Sequence, residues 1–158
     1  RSISRSQSAD SNLYLEARGG PLTVPLGAID TGNGQLTLID RFGPLTTPGA
    51  LTGTTVLLFA QGDLTLAHPV TSNGSTTMTL SSGGTLSVQA AVNGHGINMD
   101  ANSGIDILAP VYASSGLTVT STGAGTSMLV RHNVTSNGTM NLTLTGGLSV
   151  VGDSDQGA

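Results

Sequence analysis

Apolar and polar residues alternate along this chain in very short runs. The clearest stretch begins with Asp63-Leu64-Thr65-Leu66, continues through His68-Pro69-Val70-Thr71, and resumes after Asn73-Gly74 in Thr77-Met78-Thr79-Leu80. A period of two is the mark of a strand with one buried face and one wet face. The next stretch repeats the plan: Leu86 and Val88, then Val92, then Asn93-Gly94, then Ile97 and Met99. Each unit therefore holds three short strands, with Leu, Val, Ile and Met on one side and Thr, Ser and Asn on the other.

The units recur. Ile29, Leu51, Val70, Val92, Val111 and Val134 follow one another at gaps of 22, 19, 22, 19 and 23 residues. Two glycine series run at the same spacing: Gly20, Gly43, Gly62, Gly84, Gly104, Gly125 and Gly147, and Gly34, Gly53, Gly74, Gly94, Gly116 and Gly138. The segment Val70-Thr71-Ser72-Asn73-Gly74 returns verbatim at Val134–Gly138, 64 residues later, which is three periods of about 21.

A three-strand period of this kind predicts a right-handed parallel β-helix, with about 21 residues and three short strands per coil. Asn33-Gly34, Asn73-Gly74, Asn93-Gly94 and Asn137-Gly138 are read as equivalent corners, where Asn and Gly tolerate the positive φ of a sharp bend. Asn-Gly is also a hairpin signal. An antiparallel meander with three strands per repeat, however, would turn successive repeats in opposite directions and unstack identical corners. One coil orders too many residues for the apolar area that it buries, so neighbouring coils must share ladders and core layers. The helix is expected over 13–151 as six to seven coils, with 40–51 the least regular because it carries Pro44 and Pro48. Residues 1–12 form an irregular polar N-terminal segment and 152–158 an acidic tail. No capping helix is evident at either end, so further coils of the same or a neighbouring chain are expected partners.

Composition agrees. The 158 residues include 23 glycines, 3% aromatics, 9% charged residues and no lysine or cysteine. Thr and Ser supply the polar surface, as suits β-structure rather than helix. The net charge of −4 comes without any basic cluster, which argues against nucleic acid as a partner. The longest apolar run, Val56–Ala60, is far too short for a membrane span. The chain opens on Arg1 without a leader and reads as a processed chain or part of a longer one.

Gly27-Ala28-Ile29-Asp30-Thr31-Gly32-Asn33-Gly34-Gln35-Leu36-Thr37-Leu38 resembles the repeats of filamentous haemagglutinin-like proteins, and so do Gly62–Leu66 and Gly84–Val88. These are large exoproteins of two-partner secretion systems, and related passengers occur in autotransporters. The resemblance covers about residues 13–151. It implies a β-helix shaft, export to the bacterial surface, and roles in adhesion or cell contact. It carries no catalytic residues.

A catalytic reading finds little to stand on. β-Helical enzymes stack carboxylates on one outer face. The positions equivalent to Asp30 are Thr52, Thr71, Asn93, Tyr112 and Thr135, and those equivalent to Asp63 are Pro21, Pro44, Thr85, Ile105, Thr126 and Leu148. No acid falls on another, so no glycosidase-like pair is expected. His68 and His132 share a face but lie three coils apart, too far for one zinc ion, and His95 sits alone after a corner. No acidic calcium repeat or phosphate loop occurs, and no cofactor is expected.

Four Asn-x-Ser/Thr sequons, at Asn73, Asn133, Asn137 and Asn141, are candidate glycosylation sites. Among four aromatics, Tyr112 follows a repeat valine and is the candidate exposed contact. The expected function is the non-catalytic shaft of a secreted or surface-bound bacterial adhesin or filament, touching a host surface or glycans. The alternatives are a self-stacking filament subunit and a polysaccharide-binding or polysaccharide-cleaving β-helix, such as a lyase or phage tailspike fragment.

Overall fold

A computed structural model of the chain describes residues 11–22 and 27–151. Residues 1–10, most of the expected polar N-terminal segment, and the expected acidic tail 152–158 lie outside the described residues. The described residues contain strands and no helix. All strand pairs are parallel, and they stack as a β-solenoid of about seven turns.

The coil has three faces. The first stacks Ile29–Asp30, Leu51–Gly53, Val70–Ser72, the start of Val92–Ala101, the start of Val111–Ser121, and Val134–Ser136. The second stacks Leu13–Ala17, Gln35–Asp40, Thr55–Ala60, Thr77–Ser82, the ends of the two long strands, and Met140–Leu144. The third is a separate six-stranded sheet: Leu45–Thr46, Leu64–Leu66, Thr85–Val88, Gly104–Ile107, Met128–Val130 and Leu148–Val150. In Val92–Ala101 and Val111–Ser121 the first and second strands of the coil run together, so one sheet wraps two faces.

The column predicted from the aliphatic spacing is present in register: Ile29, Leu51, Val70, Val92, Val111 and Val134 are successive Cα partners. A second column runs Leu15, Leu38, Leu58, Leu80, Met99, Val119 and Leu142. The third face contributes Leu45, Leu64, Leu86, Ile105, Met128 and Leu148. Away from the two end coils these side chains are buried and meet in one core. The alternation forces this result. Successive side chains point to opposite sides of a strand, so each coil turns its Leu and Val inward and its Thr and Ser outward.

The corner between the second and third faces carries small or polar residues: Asp40, Ala60, Ser82, Ala101 and Ser121 are in register. Asp40 is fully buried, and its carboxylate accepts backbone N–H bonds from Leu22 at 2.7 Å, Phe42 at 2.8 Å and Gly43 at 3.0 Å. It thereby holds the chain through a segment where Pro44 and Pro48 cannot donate to a ladder.

Two details of register differ from the sequence reading. The first glycine series holds through Gly43, Gly62 and Gly84, whose backbones bond in sequence. It then slips by one, because Gly104 pairs with Thr85 and Ser103 donates to Gly84. The inward-facing column Leu86–Ile105–Met128–Leu148 sets the register here, and glycines follow it only where the corners have equal length. The residues aligned with Asp63 are therefore Pro44, Thr85, Gly104, Ser127 and Gly147, in place of Ile105, Thr126 and Leu148.

The four Asn-Gly pairs are also not equivalent corners. Asn93 pairs with Thr71 and Tyr112 inside a strand, whereas Asn73 and Asn137 follow the strands and share a corner position. None of their glycines has positive φ, which is found instead at Gly27, Gly32, Gly104 and Gly125, with φ of 154°, 60°, 148° and 72°. Gly74 and Gly138 are glycines because the coil beneath is too close: a Cβ would lie 2.3 Å from the Thr54 carbonyl oxygen and 1.6 Å from that of Ser115, respectively.

Candidate functional site

The outward row on the first face is Asp30, Thr52, Thr71, Asn93, Tyr112 and Thr135, as the spacing predicted. This row leads into a corner whose length varies from coil to coil. Between the first and second faces, the coil that starts at Val70 uses four residues, 73–76. The next coil uses one, His95, and the coil above uses two, Ser114 and Ser115. The difference appears as a register shift between Gly94 and Gly96. Irregularities of this kind re-aim side chains at a sheet surface.

Gly94 and Gly96 allow the tight corner. A Cβ on Gly96 would lie 2.7 Å from Thr77 Oγ1, and one on Gly94 would lie 3.2 Å from Ile97 Cγ1. Because the middle coil cuts its corner short, the surface dips there. The result is an open groove of about 460 Å³, with Asn93 and His95 of the middle coil between its two sides. Asn73, Gly74 and Ser75 form one wall, and Tyr112 and Ser114 the other. Both far-wall side chains are held. Asn137 Nδ2 donates to the Tyr112 hydroxyl at 2.8 Å, and His95 Nδ1 is 3.2 Å from Ser114 Oγ. The lining has no carboxylate, guanidinium or ammonium group.

Tyr112 is 40% exposed. Two sequon asparagines flank it: Asn73 across the groove, and Asn137 bonded to its hydroxyl. Asn133 and Asn141 lie elsewhere, and all four sequon residues are exposed. His68 and His132 are exposed, and no cluster of three or more His, Asp or Glu side chains among the described residues could hold a metal ion. The groove itself was not anticipated. Its trace in the sequence is the short gap of 19 residues from Met78 to Ile97, beside gaps of 22 and 20 on either side (Val56–Met78 and Ile97–Leu117), together with the Gly-His-Gly triplet.

A second polar cluster lies near the first described coil. Glu16 accepts bonds from Arg18 Nη2 at 2.8 Å, Tyr14 OH at 2.7 Å and Arg41 Nε of the next coil. These bonds, from Arg18 first, then Arg41 and Tyr14, hold the Glu16 carboxyl down at a pKa of about 2. The alternation Tyr14-Leu15-Glu16-Ala17-Arg18 puts three of the four groups on one outer face, and stacking supplies Arg41.

No family model, no curated protein and no solved structure matches this chain. No helix among the described residues is long and apolar enough to cross a membrane.

Proposed function

We propose that the chain is a non-catalytic structural shaft of a secreted or surface-bound bacterial adhesin or filament, as the filamentous haemagglutinin-like character of its repeats implies. The observation that carries this reading is the use made of the carboxylates. Asp40 holds three backbone N–H groups. Asp63 holds the Thr85 N–H of the next coil, and Asp30 holds that of Gly32. Glu16 is bound to two arginines. Asp100 and Asp106 project from different faces. Hydrolysis of a glycosidic bond calls, in most glycosidases, for two cooperating carboxyl groups about 5–10 Å apart on one surface, and these carboxylates are instead spent on backbone N–H groups and arginines.

Incubation with a panel of neutral and acidic polysaccharides tests this reading. No new reducing ends and no unsaturated uronates are expected, while electron microscopy shows short discrete rods. Release of either product by the purified chain, lost on substitution of Asp100 or Asp106, would replace the shaft with an enzyme.

A second reading, end-to-end stacking of copies into a filament, draws on the last described coil. Its core-facing Leu142 and Leu148 are 44% and 50% exposed, beside strands that have no further partner among the described residues. Filaments of uniform width that lengthen with protein concentration would favour it, and rods of one length at every concentration would count against it.

A further inference from the structure

We propose that the groove at the His95 corner is a binding site for a neutral saccharide chain. The proposal rests on the geometry of the groove and holds whether or not the protein is an adhesin shaft.

The chemistry of the lining selects the ligand class. Asn73 and Asn93 each offer amide donors and an acceptor, and Ser75 and Ser114 each offer a hydroxyl that does both. A sugar presents the same mixture of hydroxyl donors and acceptors at close spacing. Tyr112 adds an aromatic surface on which the C–H face of a pyranose can rest, and its bond from Asn137 fixes the ring before any ligand arrives. No arginine or lysine lines the groove, so phosphates, sulfates and uronates lack the guanidinium or ammonium partner that usually holds them.

Shape narrows the class further. A volume of about 460 Å³ falls within the range of small-molecule sites, but the groove is open along the rod surface and closes over nothing. An open groove suits one or two residues of a longer chain that continues past it on both sides. It also buries little of its ligand, so the affinity of one site is weak, and repetition along a surface would strengthen it.

The full chain, labelled with nitrogen-15, is titrated by NMR with oligosaccharides of glucose, mannose and N-acetylglucosamine, and in parallel with oligouronates. The expected result is saturable shifts of the Asn73–Ser75, Gly94–Gly96 and Tyr112–Ser114 amides with at least one neutral series, at millimolar ligand. Tyr112→Ala weakens that binding by about tenfold or more, and Tyr112→Phe by less than Tyr112→Ala. Asn73→Ala, at an exposed corner, weakens it too and serves if Tyr112→Ala folds poorly. Thr65→Ala, on the third face, leaves it unchanged. The proposal is overturned if no neutral series shifts these amides, if only oligouronates do, or if Tyr112→Ala and Asn73→Ala both bind like the parent chain.

Discussion

Replacing Leu80 with alanine tests whether the core is a continuous stack. Leu80 is fully buried and lies in register between Leu58 and Met99. The substitution removes an isopropyl group from the core, a transfer loss of about 2 kcal/mol at about 0.8 kcal/mol per carbon. It also leaves a cavity between two rungs, each held at its own ladder position, so collapse is incomplete. The total is expected to be about 3–4 kcal/mol. For a chain of this size that corresponds to roughly 6–16 °C in Tm.

The control lies in the same column. Leu142 has Val119 on one side, is 44% exposed, and lies in the last described coil. Leu142→Ala loses about half the transfer term and creates no enclosed cavity, so about 1 kcal/mol is expected. Urea and thermal unfolding of both variants, followed by far-UV circular dichroism, gives the comparison. Equal losses would refute the reasoning, since the two sites would then be equally packed. A loss at Leu80 below about 1 kcal/mol would refute the packed column itself. A reduced denaturant slope in Leu80→Ala alone would indicate that the stack divides at the break into parts that melt separately.

Asp40→Ala leaves the Leu22, Phe42 and Gly43 N–H groups without their acceptor, so a loss of about 3 kcal/mol and faster hydrogen exchange at those amides are expected. Gly74→Ala sets a Cβ 2.3 Å from the Thr54 carbonyl oxygen and should cost about 1–3 kcal/mol, whereas Gly20→Ala, with nothing within 4 Å, should stay within about 0.5 kcal/mol in urea melts. The Glu16 carboxyl, at a pKa of about 2 against an ordinary 4.5, makes a contribution that is complete above about pH 4.5 and is lost as the pH falls toward 2. Unfolding measured across that window should lose part of its pH dependence in Glu16→Gln, and an unchanged profile would dismiss the cluster as a stabilising element.

The alternation in Asp63–Leu66 and Thr77–Leu80 and the spacing of Ile29, Leu51, Val70, Val92, Val111 and Val134 were sufficient to predict parallel coils. Strand side chains alternate whatever surrounds them, and like residues one coil apart must coincide if each is to be buried. The same spacing put Tyr112 on an outer row.

Corner lengths could not be obtained this way. A gap of 19 or 22 residues does not reveal which of three corners lost or gained residues, and many glycines offered false registers, as Gly104 did. Only the paired backbones showed that the coil at His95 cuts its corner short, which opens the groove beside Tyr112 and brings Asn73 to its far wall. The burial of Asp40 and the bond from Arg41 to Glu16 depend likewise on which coil lies against which. Local pattern thus determined the coil, because alternation and burial act residue by residue. The surface features were decided by stacking, because each of them is built from side chains on different coils, about 20 residues apart in the chain.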